Sequence, residues 1–241
     1  NPNVPFLYNL LGLALTGQNK INEAEKSFNE GISIDPNFAM FYNNLGLIYV
    51  KKRSETKDPG TNTKKAEKFY KKSIELDKKI PEPKTNLGNL YHAINKFDES
   101  IKFHKMAIET NPDVHYLYLN LANVYITIGS FSKADESLRK AIKLNSDFFH
   151  AHRLLSRITK YTKNDPHIGE LEKLYEKMNS DNTENKINIG FSLGKVYEDI
   201  REFDKSFFYY SAANSLHRTK FKFSVNEETE KFKDIKKTYT E

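Results

Sequence analysis

No cysteine occurs in this sequence, which excludes disulfides, zinc–thiolate centres and cysteine nucleophiles. No apolar run approaches the roughly 18–20 residues that a membrane span needs. No secretory leader is legible at Asn1, although a chain opening on Asn-Pro-Asn reads as cut from something longer. A cytoplasmic location and no membrane contact are therefore the expectation. Arginine is scarce: only six of the 38 basic residues are Arg. The abundance of Lys and Asn has the look of AT-rich codon bias. The net charge of +6 is thus a poor pointer to nucleic acid, whose readers tend to gather Arg with Lys on one face. What the chain does hold is 38% hydrophobic residues, including 17 Phe and 14 Tyr, enough to build a core.

The chain repeats. Gly12, Gly46, Gly88, Ala122, Ser156 and Gly194 follow one another at 34, 42, 34, 34 and 38 residues. Prolines keep the same register: Pro2 to Pro36 is 34, and Pro36 to Pro112 is two periods plus the same excess of eight. Each anchor lies in an apolar helical stripe, as in Tyr8-Leu11-Gly12-Leu15, Tyr42-Leu45-Gly46-Tyr49 and Tyr118-Leu121-Ala122-Tyr125. Spacings of three, four and seven put these residues on one helix face. Twelve residues on come Ala24, Ser100, Ala134 and Ser206; four later, Phe28, His104, Leu138 and Tyr210; three later again, Gly31, Ala107, Ala141 and Ala213. This is a second helix with small residues at its contact. Asp35-Pro36 and Asn111-Pro112 then end it, because Pro cannot continue a helix and restricts its predecessor.

On period, anchor, aromatic column and proline together, residues 5–220 resemble six tetratricopeptide repeats. The resemblance implies an all-α fold: a right-handed superhelical solenoid of helix-turn-helix pairs, whose first helices line a concave groove. The expected units are 5–38, 39–80, 81–114, 115–148, a degenerate 149–186 and 187–220. A preceding repeat would end in 1–4, and a capping helix would occupy 221–241, where Val225, Phe232, Ile235 and Tyr239 fall at helical spacing. The second unit's eight extra residues predict a loop over 51–65, with Pro59-Gly60 as its turn. The fifth unit puts His152, Ser156 and Thr159 in the aromatic, small and aromatic places, and its second helix is expected near Pro166.

A second resemblance is narrower. Ala151-His152-Arg153-Leu154-Leu155-Ser156-Arg157, Lys160-Tyr161-Thr162, Asp165-Pro166-His167-Ile168, Leu171-Glu172-Lys173-Leu174-Tyr175, Phe191–Ile200 and Phe203–Phe207 are similar to the region preceding the catalytic domain in bacterial tetratricopeptide-repeat sulfotransferases. Those enzymes use 3′-phosphoadenylyl sulfate. The resemblance implies a bacterial protein whose enzymatic half would follow Glu241. No phosphosulfate-binding loop and no G-x-x-x-x-G-K-[ST] segment occur here, so no cofactor is expected in this chain.

Candidate binding residues lie on the first helices, off the core face. Asn44, Asn86 and Asn120 stand two before their anchors, and Asn89 and Asn123 one after. These offsets differ by three, so the two columns are neighbours. A side-chain amide both donates and accepts, and can pair with an extended peptide whatever its sequence. A similar asparagine ladder lines the repeats of O-linked N-acetylglucosamine transferases; codon bias alone would also enrich Asn. In the fifth unit His150, Arg153, Arg157 and Lys160 form a basic stripe suited to an acidic segment or to the missing domain. The alternative is a solvated face with ion pairs to Glu170 or Glu172. Lys51–Lys72 holds nine basic residues against Glu55, Asp58 and Glu67, a charge run that a solvated loop explains without a partner.

Other chemistry finds little support. The Lys and Asn pattern of carboxylate-clamp chaperone repeats is missing, since the first helix offers Asn9, Leu10 and Leu13. His150 and His152 face different ways, and His104, His115 and His167 lack a second ligand at metal spacing, so no metal site is expected. No nucleophile–base pair or paired carboxylates suggest an enzyme. The expected function is a protein- or peptide-binding scaffold, either the recognition or dimerisation arm of a sulfotransferase or a free-standing adaptor for assembly or co-chaperone work. A nucleic-acid-binding solenoid is the third reading; it would show a steep salt dependence and a base code per repeat, and no such code is visible.

Overall fold

The computed structural model describes residues 4–55, 59–178 and 183–219, together with six isolated positions between 225 and 236. Among the described residues there are twelve α-helices and no strand, and no helix is long and apolar enough to cross a membrane. The helices are α1 (Val4–Gly17), α2 (Ile21–Ile34), α3 (Ala39–Arg53), α4 (Pro59–Leu76), α5 (Glu82–Ala93), α6 (Phe97–Thr110), α7 (His115–Thr127), α8 (Phe131–Leu144), α9 (Phe149–Ile158), α10 (Pro166–Lys177), α11 (Thr183–Asp199) and α12 (Phe203–Arg218). They divide into two compact units, Asn1–Ser146 and Asp147–Glu241.

The first unit is a stack of four helical hairpins, α1/α2, α3/α4, α5/α6 and α7/α8, each second helix packing on the next first helix. Each hairpin closes where a glycine or alanine anchor meets a larger side chain. A Cβ on Gly12 would lie 2.3 Å from the Phe28 ring, and one on Gly46 would lie 2.4 Å from Tyr70. Phe28, Phe41, Leu45 and Ile48 form one buried cluster, and Tyr70, Leu87, Leu90 and Tyr91 another. The turns inside three hairpins are left-handed seven residues past the anchor, at Asn19 (φ 63°), Asn95 (φ 60°) and Gly129 (φ 74°). Asn and Gly tolerate that region. Successive first helices also touch, α1 with α3, α3 with α5 and α5 with α7. The second helices are not packed on one another to that extent, so the first helices line the inner, concave side of this unit.

Between hairpins the chain turns through Asp35 and Asp77, whose carboxylates accept backbone N–H bonds from Asn37 and Lys79 at 2.9 and 2.8 Å. The anchor-minus-four tyrosines secure the same kind of turn. Tyr42 donates to the Pro36 carbonyl and Tyr118 to that of Pro112, both at 2.9 Å and six residues back. In the third unit Lys84 occupies this place and donates to the carbonyl of Lys78, also six back, and to Thr110 Oγ1. The lysine is buried. Burial pulls its pKa down, against the upward pull of Asp77, Glu109 and Glu82.

One expectation fails. Much of 51–65 is helical, not loop: among the described residues α3 runs to Arg53 and α4 starts at Pro59, so extra residues lengthen both helices. Pro59 sits in the first turn of α4, where its missing N–H costs no hydrogen bond. Several basic side chains of the Lys51–Lys72 run are engaged: Lys52 pairs with Glu25, Lys71 with Glu67 and Lys72 with Glu75. The fifth unit, expected to be degenerate, has consecutive helices α9 and α10 that each pack chiefly on α11. The capping helix expected over 221–241 lies outside the described residues apart from the isolated positions.

In the second unit α11 is the centre, pairing with α12 through Gly194, whose Cβ would lie 2.6 Å from Tyr210. Ile189, Leu193, Val196 and Tyr197 from α11 join Ile168, Leu171 and Leu174 from α10 in one buried cluster. Asp199 holds the α9–α10 connection to α11: it accepts from the Tyr161 backbone N–H at 3.1 Å and from Lys160 Nζ at 2.9 Å, and pairs with Lys195. Burial alone would raise its pKa, but these three donors outweigh burial and hold it low.

Candidate functional site

The inner face of the first unit carries a chain of amides. Asn86 Nδ2 donates to Asn43 Oδ1 at 2.9 Å, Asn43 Nδ2 to Asn44 Oδ1 at 3.1 Å, and Asn44 Nδ2 to Asn9 Oδ1 at 2.7 Å. The chain crosses α5, α3 and α1. Asn9, Asn43 and Asn44 are all buried. Asn44, expected to touch a ligand, is only 4% exposed, so it joins first helices together instead. Asn86 is half-buried and committed to the same network. The sequence reading missed Asn9 and Asn43, which stand three before their anchors; two adjacent asparagines on one helix were the available signal.

The other predicted amides differ. Asn89 on α5 is exposed, and Asn120 and Asn123 on α7 are half-buried. None of the three side chains has a partner among the described residues. The helices α5 and α7 touch, and beside the amides His92 Nε2 lies 2.8 Å from Thr127 Oγ1. This hydrogen bond joins the two helices at the edge of the polar band. Three unused amides on α5 and α7, beside the network that joins α5 to α3 and α1, can pair with the donors and acceptors of an extended backbone.

The second unit holds the basic stripe, and the structure shortens it. Arg153 donates to Asn188 Oδ1 on α11, and Lys160 pairs with Asp199, not with Glu170 or Glu172. His150 and Arg157 remain exposed, with no partner among the described residues. Arg153, Glu184, Asn188, Phe191 and His217 border a recess of about 240 Å³.

One grouping went unseen in the sequence. His152 on α9 and His167 on α10 are each 1% exposed. His152 Nδ1 lies 2.8 Å from His167 Nε2, and the Tyr161 hydroxyl lies 2.6 Å from His167 Nδ1. The stretch between the two histidines includes a non-helical connection, so no helical spacing announces the pair. Nearby, Ser156 Oγ donates to Ser192 Oγ at 3.0 Å across α9 and α11.

A stack of helix pairs closed on small-against-large contacts defines a helical-repeat solenoid. Comparison with known families gives the repeat its name. Residues 12–52 match the family described as TPR repeat, and residues 85–114 and 115–148 match families described as tetratricopeptide repeat. No curated protein matches the chain. Among solved structures, PilF of Pseudomonas aeruginosa is similar with a TM-score of 0.65 and 18% identity, over 90% of this chain and 93% of its own. MamA is similar with a TM-score of 0.52 and 19% identity, over 93% of this chain and 99% of its own. A thermophilic TPR protein from Thermus thermophilus gives 0.59 and 17%, over 66% and 82% respectively. At these identities the likeness speaks for the fold alone.

Proposed function

We propose that this chain is a non-catalytic scaffold that binds an extended peptide segment of a partner protein along the inner face of its first unit. The observation that carries the reading is the set of unused amides at Asn89, Asn120 and Asn123, beside an amide chain that already spends Asn9, Asn43, Asn44 and Asn86 on holding the helices. Asn44 and Asn86 are thus positioning residues, and the other three are contacts. Taken by itself, the second unit offers Arg153, Arg157 and Lys160, with His150 on the same stripe, as a surface suited to an acidic segment, weakened by the engagement of Arg153 and Lys160. The fold supports this reading because helical-repeat solenoids commonly present concave surfaces to partner proteins.

A peptide selected from a random library on the whole chain is the probe. Its affinity is then compared between the wild type and the triple variant Asn89→Ala, Asn120→Ala, Asn123→Ala. Three amide–backbone bonds at about 1 kcal/mol each correspond to a loss of roughly a hundredfold, with the melting temperature unchanged. Equal affinity in the triple variant sinks this placement of the site.

A finer reading makes the chain the recognition or dimerisation arm of a sulfotransferase. It rests on the resemblance within residues 151–207 and on nothing in the compared structures. Its test is the gene beyond the codon for Glu241. A phosphosulfate-binding loop there supports the arm, whereas a stop codon or an unrelated domain reduces the reading to a general repeat scaffold.

A further inference from the structure

We propose that His152, His167 and Glu170 form a binding site for one divalent transition-metal ion of the zinc class, at the junction of α9 and α10. The ligand atoms of these three residues all lie within 4.8 Å of one another. His167 and Glu170 stand three apart on α10, so both point to the same side of that helix, and His152 approaches from α9.

The two imidazoles are placed as ligands need to be. Their facing nitrogens are 2.8 Å apart, and both rings are buried. At a metal–nitrogen distance of about 2.05 Å and tetrahedral angles, two ligand nitrogens lie roughly 3.3 Å apart. For a cation to replace the hydrogen they share, the rings need to separate by about half an ångström and turn so that both lone pairs converge on it. α9 and α10 each pack chiefly on α11 and meet through these two histidines.

Beyond the ligands the supporting shell is also present. A metal-bound histidine usually bonds its second ring nitrogen to an oxygen, which fixes the tautomer and the ring plane. His167 meets this condition, with the Tyr161 hydroxyl 2.6 Å from Nδ1 while Nε2 faces His152. Tyr161 is itself buried, and its backbone N–H is held by Asp199. Glu170 is exposed and its carboxylate has no partner among the described residues, so it offers an entry path from solvent and a ligand that needs no bond broken first.

Two imidazoles and one carboxylate suit zinc, cobalt(II) or nickel(II), not the oxygen-seeking calcium or magnesium. A water fills the fourth position in such a set. Both facing nitrogens must be unprotonated to bind, so protons compete with the metal as pH drops.

Cobalt(II) titrated into the full chain is the direct probe, read by its visible absorption and by competition with zinc. The expected result is one cobalt per chain, intense bands of a low-coordinate site, displacement by zinc, and a zinc-dependent rise in melting temperature. Glu170→Gln lies on the surface and leaves folding intact; it should weaken binding at least tenfold. His167→Gln should abolish the bands. In wild-type protein, zinc should shift the imidazole nitrogen resonances of His152 and His167 and not those of His92 or His150. Absence of cobalt bands together with an unchanged melt in zinc overturns the proposal. So does binding that survives both substitutions, which would place the ion elsewhere.

Discussion

Tyr49 donates its hydroxyl hydrogen to Glu25, a residue of the preceding hairpin twenty-four positions earlier. Tyr91 repeats the arrangement on Glu67 at 2.9 Å, and Tyr197 makes a similar bond to Glu172. In each case a lysine ammonium also lies near the tyrosine ring: Lys65 at 5.0 Å from Tyr49, Lys96 at 5.8 Å from Tyr91 and Lys205 at 4.8 Å from Tyr197. A tyrosine three past the anchor thus ties its hairpin to the second helix before it, and a cation near its ring adds attraction. Burial pushes Glu25 upward, but Lys52 and Tyr49 hold it below the usual carboxylate range. Burial and Glu25 together push Tyr49 up to about 12.

Tyr49→Phe should therefore lower stability by about 1–2 kcal/mol, the worth of a hydrogen bond to a charged acceptor. Because the tyrosine is raised in the folded state, the folded chain keeps its proton longer than the unfolded one. Stability from this group is complete below about pH 10, the unfolded value, and is lost as pH rises through about 12. Denaturant melts of wild type and Tyr49→Phe across alkaline pH should converge.

Gly46→Ala tests the hairpin contact. Alanine gains up to about 1 kcal/mol in helix propensity, yet its methyl would lie 2.4 Å from the fully buried Tyr70 ring. Overpacking of that kind costs about 1–3 kcal/mol, so the variant should be the less stable protein. Gly17→Ala meets nothing within 4 Å and should be neutral or stabilising. If both substitutions stabilise, the glycine is not there for close approach.

His104 fills the place against Gly88 that Phe28, Tyr70 and Tyr210 fill elsewhere. Both its ring nitrogens are buried without a hydrogen-bond partner among the described residues. Burial first, and His92 second, push it down to about 4. The unfolded chain then binds the extra proton more readily. Stability from the neutral ring is complete above about pH 6.5 and is lost as pH falls toward 4, by at most roughly 3 kcal/mol. His104→Phe should remove that slope and add about 1–3 kcal/mol at neutral pH, by abolishing two unpaired polar atoms. Thermal melts from pH 7 to pH 4 compare the two chains.

The amides separate by the same logic. Asn44→Ala leaves the buried Asn9 and Asn43 short of a partner and should cost about 1–3 kcal/mol. Asn123→Ala removes a side chain that bonds nothing among the described residues, and should leave stability within the range of ordinary surface changes, about 0.5 kcal/mol. Denaturant melts read both. A cost at Asn123 equal to that at Asn44 would contradict the division between positioning and contact residues.

The hairpin stack was legible because Gly12, Gly46, Gly88 and Gly194 each need the large residue sixteen, twenty-four, sixteen and sixteen positions on, and period records that need. The split of the asparagines was not legible. An amide facing a neighbouring helix and one facing solvent occupy similar offsets, and burial of Asn44 depends on how closely α1 approaches α3. The lengthened helices over 51–65 were hidden because Pro59-Gly60 signals a turn in isolation, while a proline at a helix start satisfies the same preference. His152 and His167 escaped because only the unpaired geometry of α9 and α10 brings them together.

The amide chain from Asn86 to Asn9 also has a direction. Each N–H along it points back toward the α1 end, from Asn86 through Asn43 and Asn44 to the oxygen of Asn9. Reversing one amide alone would set two oxygens, or two NH2 groups, against each other at each joint. The row therefore has one orderly arrangement and its full reversal, and any fault between them must travel to an end. In that sense α1 and α5 share a memory of orientation without packing on one another, carried by α3.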